Sequence, residues 1–243
     1  MMMTCPDMQQ IYAANDATWP AARSLMVGPW AVREGLGGGK RVGSASTDNV
    51  PSADDILQME AAHADLGQPP LVMIKAGQAE LDQILADRGY GIVDPVNIYA
   101  IPVAALADQK PPRVSMFTVW EPLQIQLDIW TAQGIGPARQ AVMQRAICPK
   151  TSILARWNDS PAGTGYVGLY EGIAMIHAIE ILRDQQRQGV GTWMMRAASR
   201  WAQAQGAQHL ALICRQSNVA ANALYVRLGM QLCGQYHYRQ KET

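Results

Sequence analysis

The stretch from Ile176 to Gly191, IHAIEILRDQQRQGVG, gathers residue types that could do chemistry. An apolar run that reads as a buried strand passes through a turn into an amphipathic helix opening at Gly189-Val190-Gly191. Glycines there let a backbone approach a ligand closely, and the first amides of a helix lack intrahelical partners. Those free N–H groups, with the positive end of the helix dipole, make an anion site suited to a diphosphate. The same run carries two proton acceptors, His177 and Glu180. An imidazole titrates near ~6.5 and suits proton acceptance at neutral pH. A carboxylate in an apolar run is costly unless it is paired or faces a cleft. Their odd separation puts the two on opposite faces of an ideal strand, a restriction that a bulge relaxes. His177 also reads as an ordinary hydrogen-bonded core histidine.

The pattern Q/R-x-x-G-x-G/A is met by Gln186, Gly189 and Gly191, directly after the strand. Further on, NVAANALYVRLGM offers Asn218, Ala221, Tyr225 and Gly229. In order and spacing, residues of about 150–240 resemble the GNAT superfamily, with its diphosphate loop and its following N-x-x-A-x-x-x-Y-x-x-x-G-F/M helix. Gln186 stands where arginine is commoner in that family, and either side chain can support the turn.

The resemblance implies an N-acetyltransferase that uses acetyl-coenzyme A as cosubstrate and needs no metal. Backbone groups of Ile181 and Leu182 would meet the pantetheine arm. The loop from Arg187 through Gln188, Gly189, Val190 and Gly191 would hold the diphosphate, and the central strand would splay from the next one. Tyr225 matches the family's general acid. Its reference pKa of ~10 lies near enough to a thiol's ~8.5 for donation to the leaving sulfur. Tyr225 also reads as a packing residue, since Ala221, Leu224 and Leu228 share its apolar stripe. A histidine at the place of His177 is the base in arylalkylamine acetyltransferases, Glu180 is a second candidate, and a water chain is a third. The acceptor would be a small or amino-acid-like amine. Two rival readings are a module that senses acyl-coenzyme A without turnover and a transferase for another acyl group or a hydroxyl acceptor.

The elements needed to position these residues are legible around them. The seam ALADQKPPRVS, at 105–115, reads as an extended linker because of its paired prolines. It cuts the chain into 1–110 and 113–243. Before it, a helix leads to GPWAVREGLGGGKRVGSAST, in which two β-type runs flank a glycine-rich turn as in a hairpin. A helix over Ala53–Leu66, the strand LVMIK, the helix AELDQILADRGY and the strand GIVDPVNIYAI follow. After it, EPLQIQLDIWTAQGIGPARQAVMQRA reads as two helices broken at 134–136. TSILARW and TGYVGLY form a hairpin, then come the central strand, a helix at 189–205, the strand HLALIC, the Tyr225 helix and a closing strand CGQYHYR. Val190, Trp193, Met194, Ala197, Ala198 and Trp201 repeat at helical spacing and read as a core stripe.

The expected fold is α/β (α+β), with two GNAT-like domains, each a mixed, largely antiparallel sheet flanked by helices. The first domain reads as a degenerate member of a tandem pair, because AELDQILADRGY has no glycine-rich opening to receive a diphosphate. GLGGGKR lacks the G-x-x-x-x-G-K-S/T spacing of a nucleotide loop, since Glu34 and Arg41 stand at its defining positions. Tyr236, His237 and Tyr238 in the last strand could line an acceptor pocket.

Composition excludes other classes. The 243 residues are 49% hydrophobic and 16% charged, a globular balance. Lys and Arg number 20 against 20 Asp and Glu, so no whole-molecule field draws nucleic acid or anionic lipid. Neither a nucleic acid nor a membrane is an expected partner, and the chain would act as a monomer or homodimer. No apolar run reaches the ~18–20 residues of a membrane span. The opening MMMTCPDMQQ lacks the pattern of a signal peptide. Four scattered cysteines, without a CxxC pair, read as free thiols in a reducing cytosol, which makes the expected location cytoplasmic.

Overall fold

The structure, a computed structural model, describes residues 5–241; the first four residues of the stretch read for a signal peptide lie outside that range. In chain order its N-terminal half contains α1 (Met8–Thr18), β1 (Arg23–Val27), β2 (Trp30–Glu34), α2 (Lys40–Gly43), β3 (Ala45–Ser46) and α3 (Ala53–Asp65). Then come β4 (Leu71–Lys75), α4 (Ala79–Asp87), β5 (Tyr90–Pro102) and α5 (Ala104–Ala107). The C-terminal half contains β6 (Met116–Val119), α6 (Gln124–Ala132), α7 (Pro137–Arg145), β7 (Lys150–Trp157), β8 (Ser160–Tyr170) and β9 (Ile173–Ile181). A 3-10 turn at Arg183–Gln185 leads to α8 (Val190–Ala204), β10 (His209–Arg215), α9 (Val219–Arg227) and β11 (Gln231–Lys241).

These elements form two compact units whose division differs from a single cut at 105–115. One unit holds Pro20–Asn97, Arg215–Ser217 and the chain from Gly234. The other holds the chain up to Trp19, Ile98–Cys214 and Asn218–Cys233, so the proline-paired seam lies inside it. Partnership, and not proximity along the chain, assigns each segment. Residues 236–240 of β11 pair antiparallel with 71–75 of β4, while α1 packs on β8 and β9.

In the first unit the strand order is β1-β2-β3-β4-β11. The tight hairpin turn falls at Gly28-Pro29, between β1 and β2, one strand earlier than expected. The two runs read from the sequence, β2 and β3, do pair antiparallel, but short α2 occupies the glycine-rich connection. Helix α3 starts at a capping box in which Ser52 Oγ accepts from Asp55 N and the Asp55 carboxylate accepts from Ser52 N. Trp30, Ile56, Met59, Leu81 and Leu85 form the core. The Asp82 carboxylate accepts from both His237 Nε2 (2.8 Å) and Arg239 Nε (2.7 Å), and the Arg239 bond chiefly holds its carboxyl below the usual range. Tyr236 and Tyr238, on the opposite face of β11, are buried, with hydroxyls 3.2 Å apart.

In the second unit the order is β10-β9-β8-β7-β6, antiparallel throughout except for the parallel β9–β10 pair. The β7–β8 hairpin turns on Asn158 and Asp159, both at positive φ (48° and 59°), which suits the twist of its strands. Gly165 faces Met194 of α8, while Gly168 faces Thr18 of α1; their odd separation puts these helices on opposite faces of the sheet. The expected core stripe of α8 buries Met194, Ala197 and Ala198 fully, with Trp193 and Trp201 only partly covered. Full burial of a side chain such as Met194 contributes about 2 kcal/mol.

One expectation is corrected by this packing. Cys5, just before α1, and Cys233, early in β11, form a disulfide with a Cα–Cα distance of 5.6 Å, leaving Cys148 and Cys214 as free thiols. The fold joins residues 228 positions apart, which no spacing rule detects. The bridge removes the cysteine argument for a reducing compartment. Among the described residues no helix is long and apolar enough to cross a membrane. Replacing Cys5 and Cys233 by Ser should cost about 2–5 kcal/mol in urea unfolding, and reductant should bring the unmutated chain to the same midpoint. A reductant-insensitive midpoint, equal in both proteins, would show that the bridge does not form in solution.

Candidate active site

Pairing between β9 and β10 is short. The ladder runs from His209↔Ile173 to Ala211↔Met175 and goes no further. Beyond it the strands splay, and a cavity of about 490 Å³ is lined there by the end of β9, the opening of α8 and one face of α9. The splayed pair expected from the sequence is therefore present.

The floor of this cavity is the N-terminus of α8. Gly189 caps the helix in the left-handed region (φ 86°) and no side chain occupies the cap, so the first amides keep their donors free for a ligand. A Cβ at Gly189 would meet nothing within 4 Å and would project into open space. Gly191 answers to a different constraint: a Cβ there would lie 2.9 Å from Leu224 Cδ2 and 3.1 Å from Ile181 Cδ1. The second glycine of the motif thus permits close packing of α8 on α9 and β9.

The turn before α8 is held by amide side chains. Gln186 Nε2 donates to Ile181 O (3.1 Å), the support expected of the residue at that position. Gln188 donates to Asp184 O (2.9 Å) and accepts from Asn158 Nδ2 (2.7 Å). Leu182 N–H is already donated to Ala162 O (2.9 Å). Of the residues expected around the cofactor, Ile181, Gln186, Arg187, Gly189, Val190, Gly191, Asn218 and Ala221 line the cavity, whereas Leu182 and Gln188 do not. Asn218 caps α9 by accepting from Ala221 N (3.1 Å).

Tyr225 and Glu180 both line the cavity. Tyr225 is 6% exposed, and burial, aided by Cys214, Glu180 and Tyr99, pushes its phenol well above the usual range. Its hydroxyl makes no hydrogen bond to the described residues. Tyr99, from β5, packs against it with ring centroids 5.7 Å apart and donates to Asn222 Oδ1 (3.0 Å). Sequence reasoning missed Tyr99 because nothing in VNIYAI distinguishes it from a core residue.

The strand face that carries Glu180 is set by a bulge. Tyr166 pairs with His177 and Thr164 with Glu180, so Ala178 and Ile179 together oppose Gly165 alone. Ala178 takes φ 51°, and His177 and Glu180 consequently share one face despite their odd separation. Even so, the structure separates their surroundings. His177 is outside the cavity lining and 3% exposed. Its ring lies against Trp19 and stacks on Tyr166, with centroids 5.1 Å and 5.9 Å away. Thr18 Oγ1 spends its single hydrogen on Ala14 O (2.7 Å), so His177 Nε2, at 2.9 Å, is the donor to Thr18. Beside Glu180, the Gln126 side chain, from α6, donates to Thr164 Oγ1 (3.2 Å) and caps Leu123 N. Tyr236, His237 and Tyr238 belong to the other unit from Tyr225, with His237 bound to Asp82. Among the described residues, no three His, Cys, Asp or Glu side chains come together as a metal site.

Comparison with known proteins agrees with this geometry. An uncharacterized N-acetyltransferase of Bacillus subtilis (strain 168), YobR, is 29% identical over 248 residues, covering 97% of this chain and 99% of its own. The fold is similar to a GCN5-related N-acetyltransferase from Kribbella flavida, with TM-score 0.72 at 16% identity over 99% of this chain and 97% of that one. A tandem GNAT protein from the clavulanic acid biosynthesis pathway aligns with TM-score 0.56 at 12% identity, over 82% of this chain and 75% of its own. Residues 120–230, which contain the bulged strand, the α8 opening and Tyr225, match the acetyltransferase (GNAT) family.

Proposed function

We propose that the protein transfers the acetyl group of acetyl-coenzyme A to a primary amine of a small or amino-acid-like acceptor by direct attack. The observation that carries this reading is the convergence of Glu180, Tyr225 and the uncapped α8 terminus on one cavity. The residues suit the cosubstrate. Free amides at Gly189–Gly191 match a diphosphate, and the open space above Gly189 leaves room for it. The edge of β9 beyond Met175, unpaired with β10, offers backbone groups to an amide-bearing arm.

Bound there, the cosubstrate supplies a thioester whose carbonyl an amine can attack. The chain's own residues manage two protons. Glu180 accepts one from the ammonium of the acceptor, directly or through a water. Tyr225 gives one to the departing thiolate. Burial and the neighbouring Glu180 both disfavour the phenolate, so Tyr225 stays protonated through the neutral range and adds no alkaline limb there. His177 fits a supporting part better than that of base, since its Nε2–H is committed to Thr18 beneath α1. The first unit would then be a GNAT-like partner without a cosubstrate of its own. Its α4 opens with Glu80 and Asp82 in the first turn, charges that repel a diphosphate.

Three measurements test this reading. Tyr225→Phe should lower kcat by about 10²–10⁴-fold with little change in affinity for the cosubstrate. Glu180→Gln should remove the acidic limb of the rate profile while His177→Gln retains it; the reverse result would reassign the base. In calorimetry the chain should bind one coenzyme A, and Thr192→Glu should weaken it at least about tenfold, while Thr192→Gln should not. A carboxylate in the first turn favours the helix, so unchanged affinity in Thr192→Glu would remove the diphosphate from the α8 terminus. Two equivalent sites would show that the first unit binds as well.

A further inference from the structure

The bulge in β9 raises a question of register that the catalytic reading leaves unanswered. Each residue on a strand faces opposite to its neighbours, so loss of the bulge would turn every side chain beyond it to the other face. Glu180 would leave the face of His177 and Thr164 and take the face on which Ile176, Ile179 and Gly165 lie against Met194 of α8. A carboxylate there would have apolar neighbours and would no longer serve an incoming amine.

The bulge is not favoured by its own residue. Ala178 sits at φ 51°, a conformation that L-residues other than Gly, Asn and Asp adopt reluctantly. A partner from outside the strand meets it. Trp130, in α6, is completely buried, and its indole Nε1–H donates to Ala178 O at 2.8 Å. A buried indole N–H needs an acceptor, and the carbonyl of Ala178, half-buried at the disrupted ladder, supplies one, so the bond removes the desolvation penalty of the indole. If the bulge moved along β9, this bond would break.

We propose that Trp130 is a positioning residue for the acyl transfer: its indole N–H fixes the bulge at Ala178 and thereby sets the face on which β9 presents Glu180. This rests on the reading of Glu180 as the proton acceptor. Through Trp130 the helix α6 then has a part in the reaction that it exerts by one hydrogen bond.

The test uses the full chain with Trp130→Phe and with Trp130 replaced by β-(3-benzothienyl)alanine, which keeps the ring volume and lacks the N–H. Both should unfold cooperatively. Deuterium uptake should rise at 177–181 and stay unchanged in β7 and α8. The kcat should fall about tenfold with the KM for acetyl-coenzyme A unchanged, as for a displaced proton acceptor. In a Glu180→Gln background the same replacements should lower kcat no further. An unchanged uptake at 177–181, or a rate loss of equal size in both backgrounds, overturns the positioning role while the acceptor reading stands. Glu180→Gln alone leaving kcat intact overturns the acceptor reading, and the catalytic half of the proposal falls with it.

Discussion

Backbone polar groups taken out of water must find partners, and β9 is the strand on which this constraint bears hardest. It is paired to β8 on one side from end to end except at the bulge, but to β10 only as far as Met175. The remaining edge of β9 can exist unpaired because it borders a cavity, and the cavity exists because the strands part there. The bulge at Ala178 and Ile179 lies in this same segment, where only one neighbouring strand restrains the register. Splay, bulge and cavity are three aspects of one arrangement. The uncapped start of α8 follows from it, since the helix departs from the end of the same strand and needs Gly189 in the left-handed region to make the turn.

How much of this could be read from the residues depended on the range of the interaction. The order of elements from β7 to β11 was legible, because each is marked by its own periodicity and by turn residues such as Asn158, Asp159 and Gly189. The glycine turn into α8 was legible for the same reason, being contiguous. The bulge could be allowed for but not placed, since its donor, Trp130, sits 48 positions upstream of Ala178. Tyr99 lay outside view because it comes from β5, and the disulfide because its two ends are 228 residues apart. The two compact units differ from a single cut at the seam for a related reason. Lys110-Pro111-Pro112-Arg113 does break regular structure, but strand pairing and not a local break decides which unit a segment joins.

His177 shows how a correct residue type can mislead about role. Imidazole chemistry made it the natural base, and its place on the central strand matched a known pattern. In three dimensions it is enclosed by Tyr166 of β8 and by Thr18 and Trp19 at the end of α1, a helix from the other end of the chain. Thr18 has one hydroxyl hydrogen, already given to Ala14 O, and that fixes the direction of the bond to His177. The residue therefore reads as an anchor for α1 on the sheet, which also shields that stretch of β9 from water.

The two units present a natural comparison, since each contains a strand followed by a turn and a helix: β4 to α4 in one, β9 to α8 in the other. The difference lies in what occupies the helix N-terminus. At α4 the Gln78 side chain bridges the turn, accepting from Lys75 N and donating to Thr47 O, and Glu80 and Asp82 follow in the first turn. At α8 the cap is a glycine, the first turn has no acidic residue, and Arg187 lines the cavity beside it. The same dipole is thus neutralised within the chain in one case and left available in the other. Asp82 is engaged further by His237 and Arg239, so α4 meets its own charge requirement with protein groups alone. The two helix starts thus present different charge, and that asymmetry follows from a handful of side chains on a shared local pattern.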